Sequence, residues 1–175
     1  MFDFIRKKLN PLKYARKKGV IIGTNTHILG QIEWGSEPWL IEIGNDTTFS
    51  GHIKFFTHDG GWRVPRRLNK KYSKVLKFGK VKIGNNCFIG YGATFLPDVV
   101  VGDNCIIGAM SLVTKDVPSG EVWGGNPAKK ICTIEEYAEK LLLNIPDYDT
   151  DELHKNKKLV SIKIAEHYSV KRRKK

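Results

Sequence analysis

Long apolar runs are missing from this chain. No stretch of its 175 residues approaches the roughly 20 apolar residues of a membrane-spanning helix. The opening MFDFIRKKL is too short and too charged for a signal peptide, so neither feature is expected. Cysteine is scarce and odd in number, with three residues at Cys87, Cys105 and Cys132. That count argues against the disulfide framework of a small secreted protein, and a reduced, cytoplasmic chain is the expectation. Acid is also in short supply. Asp and Glu total 18 against 30 Lys and Arg, a net charge of +12. Such a balance implies an anionic partner. Nucleic acid, an anionic membrane surface, a phosphorylated sugar carrier and a nucleotide cofactor all qualify. Hydrophobic residues make up 41%, enough for one domain with a real core.

What the chain does have is a period. Between residues 83 and 118 a bulky apolar side chain falls on every sixth position: Ile83, Ile89, Phe95, Val101, Ile107 and Val113. Glycine follows four of them, at Gly84, Gly90, Gly102 and Gly108. A small or β-branched residue comes four places on, from Cys87 and Ala93 to Ser111 and Val117. Six matches neither the 3.6 of a helix nor the alternation of a flat strand. It predicts an all-β solenoid, a parallel β-helix of hexapeptides in which three units close a coil of about eighteen residues. Coils would stack at roughly 4.8 Å, with the bulky residue pointing inward.

The period starts earlier, at Ile22, Ile28 and Trp34, and is interrupted at Ser36-Glu37-Pro38. It resumes at Ile43, Phe49 and Phe55, then breaks again, with about 22 extra residues before Ile83. The arithmetic yields four coils with columns at 22/43/83/101, 28/49/89/107 and 34/55/95/113. Both insertions follow the third face of a coil, and insertions in solenoids gather on one, often functional, side. The long inserted loop, residues 59–81, carries eight Lys or Arg, one acid (Asp59), and Trp62, Tyr72 and Phe78.

The ends read as helical. Residues 1–19 form an N-terminal cap: Asn10 suits an N-cap, Pro11 the first helical position, and a short helix would stop at Gly19. Residues 20–131 are the β-helix domain, ending in a turn-rich segment, SGEVWGGNPAKKI. Residues 132–175 form a C-terminal helical extension. One helix starts at Ile134 and ends near Leu143, and a second spans Asp151–Tyr168. The basic run at 171–175 reads as a frayed tail, or as a contact for an anionic membrane surface.

Three segments resemble the hexapeptide-repeat acyltransferases: the repeat block, GAMSLVTKDVP at 108–118 with GGNPAKK at 124–130, and FTHDGG at 56–61. The likeness is greatest to galactoside and maltose O-acetyltransferases and to enzymes that decorate polysaccharides. It implies a left-handed coil, a homotrimer with sites between neighbouring prisms, and acetyl-CoA as cosubstrate. His58 falls at the family's catalytic position, and an imidazole suits a general base because it titrates near working pH. Asp59 is the candidate to orient it, and with Trp62, which offers an aromatic face for a sugar, a candidate acceptor contact. The resemblance places the oxyanion donor near Tyr91 or Gly92 of an adjacent subunit. It assigns Ala109, Thr114 and Lys115 to the pantetheine and phosphates of coenzyme A, and Lys129 to the nucleotide phosphates. Cys132 stands where galactoside acetyltransferases have a second basic residue, leaving Lys130 as a substitute.

A sugar, nucleotide-sugar or lipid-linked saccharide is the expected acceptor. Carbonic anhydrases of this fold bind metal through three histidines. Here His52 and His58 lack a third nearby in the repeat pattern, because His27 belongs to another coil and His154 and His167 to the tail, so no metal is expected. Two alternatives differ in class: an antibiotic acetyltransferase of the same fold, and a non-enzymatic module binding nucleic acid. No nucleic-acid motif is present, and no nucleic acid is expected as partner.

Overall fold

The computed structural model describes residues 10–173. Four coils repeat the same three short strands. The first holds β1 (Ile21–Ile22), β2 (His27–Ile28) and β3 (Ile32–Glu33). The second holds β4 (Ile41–Ile43), β5 (Thr48–Phe49) and β6 (Ile53–Phe55). The third holds β7 (Val81–Ile83), β8 (Phe88–Ile89) and β9 (Thr94–Phe95), and the fourth β10 (Val100–Val101), β11 (Ile106–Ile107) and β12 (Leu112–Val113). Equivalent strands pair in parallel, with Ile22 opposite Ile43, Ile43 opposite Ile83, and Ile83 opposite Val101. The second and third columns hold the same register, as at Phe49–Ile89 and Phe55–Phe95. The columns are those predicted from the period, and the fold is a parallel β-helix.

Its interior is apolar, and aromatic on the third face. Phe55 lies between Trp34 and Phe95, with ring centroids at 5.4 and 5.1 Å and planes within 4° and 13°. The corners are tied by side chains that repeat with the coil. Thr26, Thr47, Cys87 and Cys105 each donate to a carbonyl one coil on, at 3.0, 3.0, 3.2 and 3.1 Å. The two cysteines therefore stand in for threonine as reduced corner residues. The next turn needs left-handed backbone, and Asn25, Asp46, Asn86 and Asn104 adopt it at φ of 50, 54, 51 and 56°. Asn and Asp tolerate that conformation better than other non-glycine residues. Gly84 serves another purpose: a Cβ there would stand 2.6 Å from the Gly102 carbonyl of the coil above.

A short helix packs on the core at the first coil, through Leu12, Tyr14 and Ala15. Helix α1 (Pro11–Lys17) starts at Asn10, whose Oδ1 accepts from Lys13 N at 2.9 Å, and gives way to Gly19 at φ +100°. Arg16 donates to the carbonyls of Ile22 and Gly23, locking the helix onto the first strand. Residues 1–9 of the expected cap lie outside the described residues.

The other end differs from expectation. The segment read as turn-rich folds into β13 (Glu121–Gly124) and β14 (Lys129–Thr133). Strand β13 adds in parallel to β11, with Ile107 opposite Trp123, and β14 returns antiparallel. The hairpin takes up the unpaired edge that the last coil leaves open. Because β14 runs through Cys132, the compact unit extends to Ile134 rather than ending at residue 131.

The long insertion is also more ordered than a bare loop. A turn at Gly60–Trp62 leads into α2 (Arg63–Leu68) and a second turn at Lys70–Tyr72. Its base is laced to itself: His58 bridges Phe78, Asp59 N donates to Lys77 O at 3.1 Å, and Gly79 N to Thr57 O at 2.9 Å. Val81 already belongs to β7, so the insertion closes one residue earlier than predicted.

The second unit, Glu135–Lys175, is largely helical. Helix α3 (Ile134–Leu142) leads into it close to the predicted bounds. The helix predicted over 151–168 is two, α4 (Thr150–Lys155) and α5 (Lys157–Arg173), because Asn156 leaves helical geometry at φ −129°. Residues 171–173 of the expected tail continue α5, and residues 174–175 lie outside the described residues. Among the described residues, no helix is long and apolar enough to cross a membrane.

Candidate active site

The two insertions meet. The chain leaves the first coil after Trp34, turns through Gly35 at φ +69°, and presents Glu37 ahead of a short turn at Pro38–Leu40. It leaves the second coil after Phe55, one rung above, and presents Thr57 and His58. A single carboxylate oxygen joins them. Glu37 Oε2 accepts from Thr57 Oγ1 at 2.7 Å and lies 2.8 Å from His58 Nδ1.

A carboxylate can only accept, so His58 Nδ1 carries the hydrogen, and in the neutral imidazole Nε2 is the nitrogen with the lone pair. Partial burial works to raise the Glu37 carboxyl, but the hydrogen bonds from Thr57 and His58 outweigh it and hold the group below its ordinary value. Phe78 closes on the imidazole edge-on, with centroids 6.0 Å apart. Thr57 is buried, while the His58 side chain stays 34% exposed. The result is an oriented imidazole with one nitrogen able to take a proton.

Glu37 is the residue that sequence reasoning missed. Its signal was present: two insertions at the same point of successive coils must emerge side by side. Asp59, expected to orient His58, instead accepts from Gly61 N at 2.8 Å and caps the first turn of the insertion. Adjacent residues on an extended chain point to opposite sides, so Asp59 faces away from its neighbour's ring. Trp62 is engaged as well, with the Arg66 guanidinium 4.1 Å and that of Arg63 5.3 Å from its ring centroid. Arg66 is itself held by Val75 O at 2.8 Å, so one indole face is occupied rather than open to a sugar.

The remaining candidates divide between two edges of the prism. Thr114 and Lys115 follow Val113 on the third edge, which is also the edge of His58, and Lys115 is exposed. Two coil spacings, about 10 Å, separate the levels. Tyr91, Gly92 and Ala109 lie on the second edge, where Tyr91 is half exposed and packs against His52 at 5.0 Å. Gly92 cannot serve as an oxyanion donor, because its N–H already binds Gly51 O at 2.8 Å. Lys129 is exposed on β14. Lys130 pairs with Glu121 at 2.7 Å, and successive strand residues face opposite ways, so the two lysines do not form one phosphate clamp. Among the described residues, no group of three His, Cys, Asp or Glu gathers as a metal site.

A parallel β-helix of hexapeptides with a carboxylate-held histidine on one edge defines a hexapeptide-repeat protein. The bacterial transferase hexapeptide pattern of six repeats matches residues 80–115. Protein CapG of Staphylococcus aureus is 48% identical over 147 residues, covering 83% of each chain. A putative acetyltransferase, YvoF of Bacillus subtilis, is 48% identical over 104 residues, 59% of this chain and 54% of that one. A solved maltose O-acetyltransferase from Clostridium difficile 630 superposes with a TM-score of 0.53 at 25% identity, over 69% of this chain and 73% of its own. The chain belongs to the hexapeptide-repeat acyltransferases.

Proposed function

We propose that this protein moves an acetyl group from acetyl-CoA to a hydroxyl of a saccharide. The observation that carries the reading is the 2.8 Å contact of His58 Nδ1 with Glu37, which leaves Nε2 as a base. As the acceptor oxygen attacks the thioester carbonyl, Nε2 takes the hydroxyl proton. The C–O bond forms, the C–S bond breaks, and the proton passes to the departing thiolate. No covalent enzyme intermediate is required, since alignment of the two substrates supplies much of the rate. The name of the maltose O-acetyltransferase supports a sugar or a polysaccharide precursor, free, nucleotide-linked or lipid-linked, as acceptor.

Ala109, Thr114, Lys115 and Lys129 are the proposed contacts of coenzyme A. They lie on two different edges, so a left-handed homotrimer in which one prism supplies the third edge and its neighbour the second would complete the cleft. The oxyanion donor is then at Tyr91 rather than Gly92. The reaction belongs in the cytoplasm, where acetyl-CoA is available, and an anionic membrane surface would bring a lipid-linked acceptor to the basic insertion. Replacing His58 by Ala should lower turnover about 100-fold or more and leave the circular dichroism spectrum unchanged. A folded His58→Ala protein with full activity would overturn the assignment.

A further inference from the structure

Beside the His58–Glu37 pair, on the far side of the first insertion, lies a groove that the chemistry above does not use. It has a volume of about 540 Å³ and runs between α1 and the third face of the first coil. That size falls in the usual range of small-molecule sites, about 300–1,000 Å³. Tyr14 and Lys18 form one wall, and Glu33, Trp34, Ser36 and Trp39 the other. Trp39 is 60% exposed. An indole that open to water is a large apolar face, and it has no ring or cation partner among the described residues.

The groove is rigid. Trp39 stands on the turn Pro38–Leu40, and Pro38 is buried. The Trp39 backbone and Cβ pack so closely on the end of α1 that a Cβ added at Gly19 would lie 3.1 Å from Trp39 Cβ. Trp34 is held in place by its stack on Phe55. Polar residues line it with the aromatic ones: Lys18, whose ammonium sits 5.5 Å over the Tyr14 ring, Ser36, and Glu33, whose carboxylate lies 3.9 Å from Lys54 Nζ.

We infer that this groove is a saccharide subsite for units of the acceptor beyond the one acetylated, with Trp39 as its stacking platform. A pyranose has an apolar C–H face and a rim of hydroxyls, and the groove offers an aromatic plane with donors and acceptors at its margin. Ser36 and Pro38 line it while Glu37, between them in the chain, turns to His58. Groove and base therefore lie on opposite sides of one short segment, a residue apart in the chain, and only an acceptor longer than one unit would span both. The inference rests on the saccharide reading of the acceptor, and it predicts a preference for oligosaccharides over monosaccharides.

The test uses the full-length protein with indole-15N tryptophan and a panel of maltotriose, chitotriose and a uronic-acid trisaccharide. At least one trisaccharide should shift the Trp39 indole resonance, assigned by its loss in Trp39→Ala. That variant should weaken trisaccharide binding about tenfold. It should raise KM for the trisaccharide by a similar factor while kcat, and KM for the monosaccharide, stay unchanged. His58→Ala should still bind. Transfer to sugars with no dependence on Trp39 would overturn the groove and leave the proposed reaction standing. Binding at Trp39 without acetyl transfer would do the reverse. The groove is also overturned if no trisaccharide moves the resonance. Loss of an oligomer in Trp39→Ala by sedimentation would make the face a contact between copies instead.

Discussion

Glu37 and His58 stand 21 residues apart in the chain, yet the carboxylate oxygen of one lies 2.8 Å from the imidazole Nδ1 of the other. One coil plus the three-residue interruption of the period separates them, so closing a single turn of the β-helix brings them together. The same oxygen takes the Thr57 hydroxyl, which sets the direction from which the ring is held.

Removing that hold should affect rate more than binding. Glu37→Gln keeps the size of the side chain but loses its charge, and kcat should fall about 10- to 100-fold with the acetyl-CoA dissociation constant unchanged. Because the Glu37 carboxyl is held below its ordinary value of 4.5 in the folded state, its stabilising effect is complete above that value. It is lost as pH falls through the lowered one. The gap in Tm between wild type and Glu37→Gln should be constant from neutral pH to about 5 and shrink below it. A gap that widened in acid would contradict the geometry.

Phe55 is the middle ring of a three-member aromatic stack and is 1% exposed. Phe55→Ala should cost about 3–5 kcal/mol, because rigid coils above and below cannot collapse into the space. Urea denaturation would measure it, and a loss under about 1 kcal/mol would mean the coils adjust.

Lys129 and Lys130 are neighbours with different tasks. Lys130→Ala breaks the 2.7 Å pair with Glu121 and should leave acetyl-CoA affinity within about twofold. Lys129→Ala combined with Lys115→Ala should weaken it about tenfold or more by calorimetry. Equal losses from both changes would restore the paired clamp.

Gly84 has no room for a methyl group, since its Cβ would meet the Gly102 carbonyl at 2.6 Å. Gly84→Ala must spread two coils and should lose more than about 2 kcal/mol in urea denaturation. The same change at Gly60, which has nothing within 4 Å of its Cβ position, should be nearly neutral.

The period of six alone determined the stacked columns, the four coils, the places of the insertions and the position of His58 at an edge. It could do so because each coil touches only its neighbours, so register is a matter of counting. Asn10, Pro11 and Gly19 likewise marked α1 by local backbone preference. Tertiary structure alone decided which carboxylate serves His58. Asp59 was nearer in sequence but is committed to Gly61, while Glu37 arrives from the coil below. It also decided that the last segment pairs as β13 and β14, that Arg66 covers Trp62, and that Lys130 answers Glu121. Those outcomes depend on which unpaired edge or side chain is left within reach once the coil has closed. A one-dimensional repeat carries no record of that.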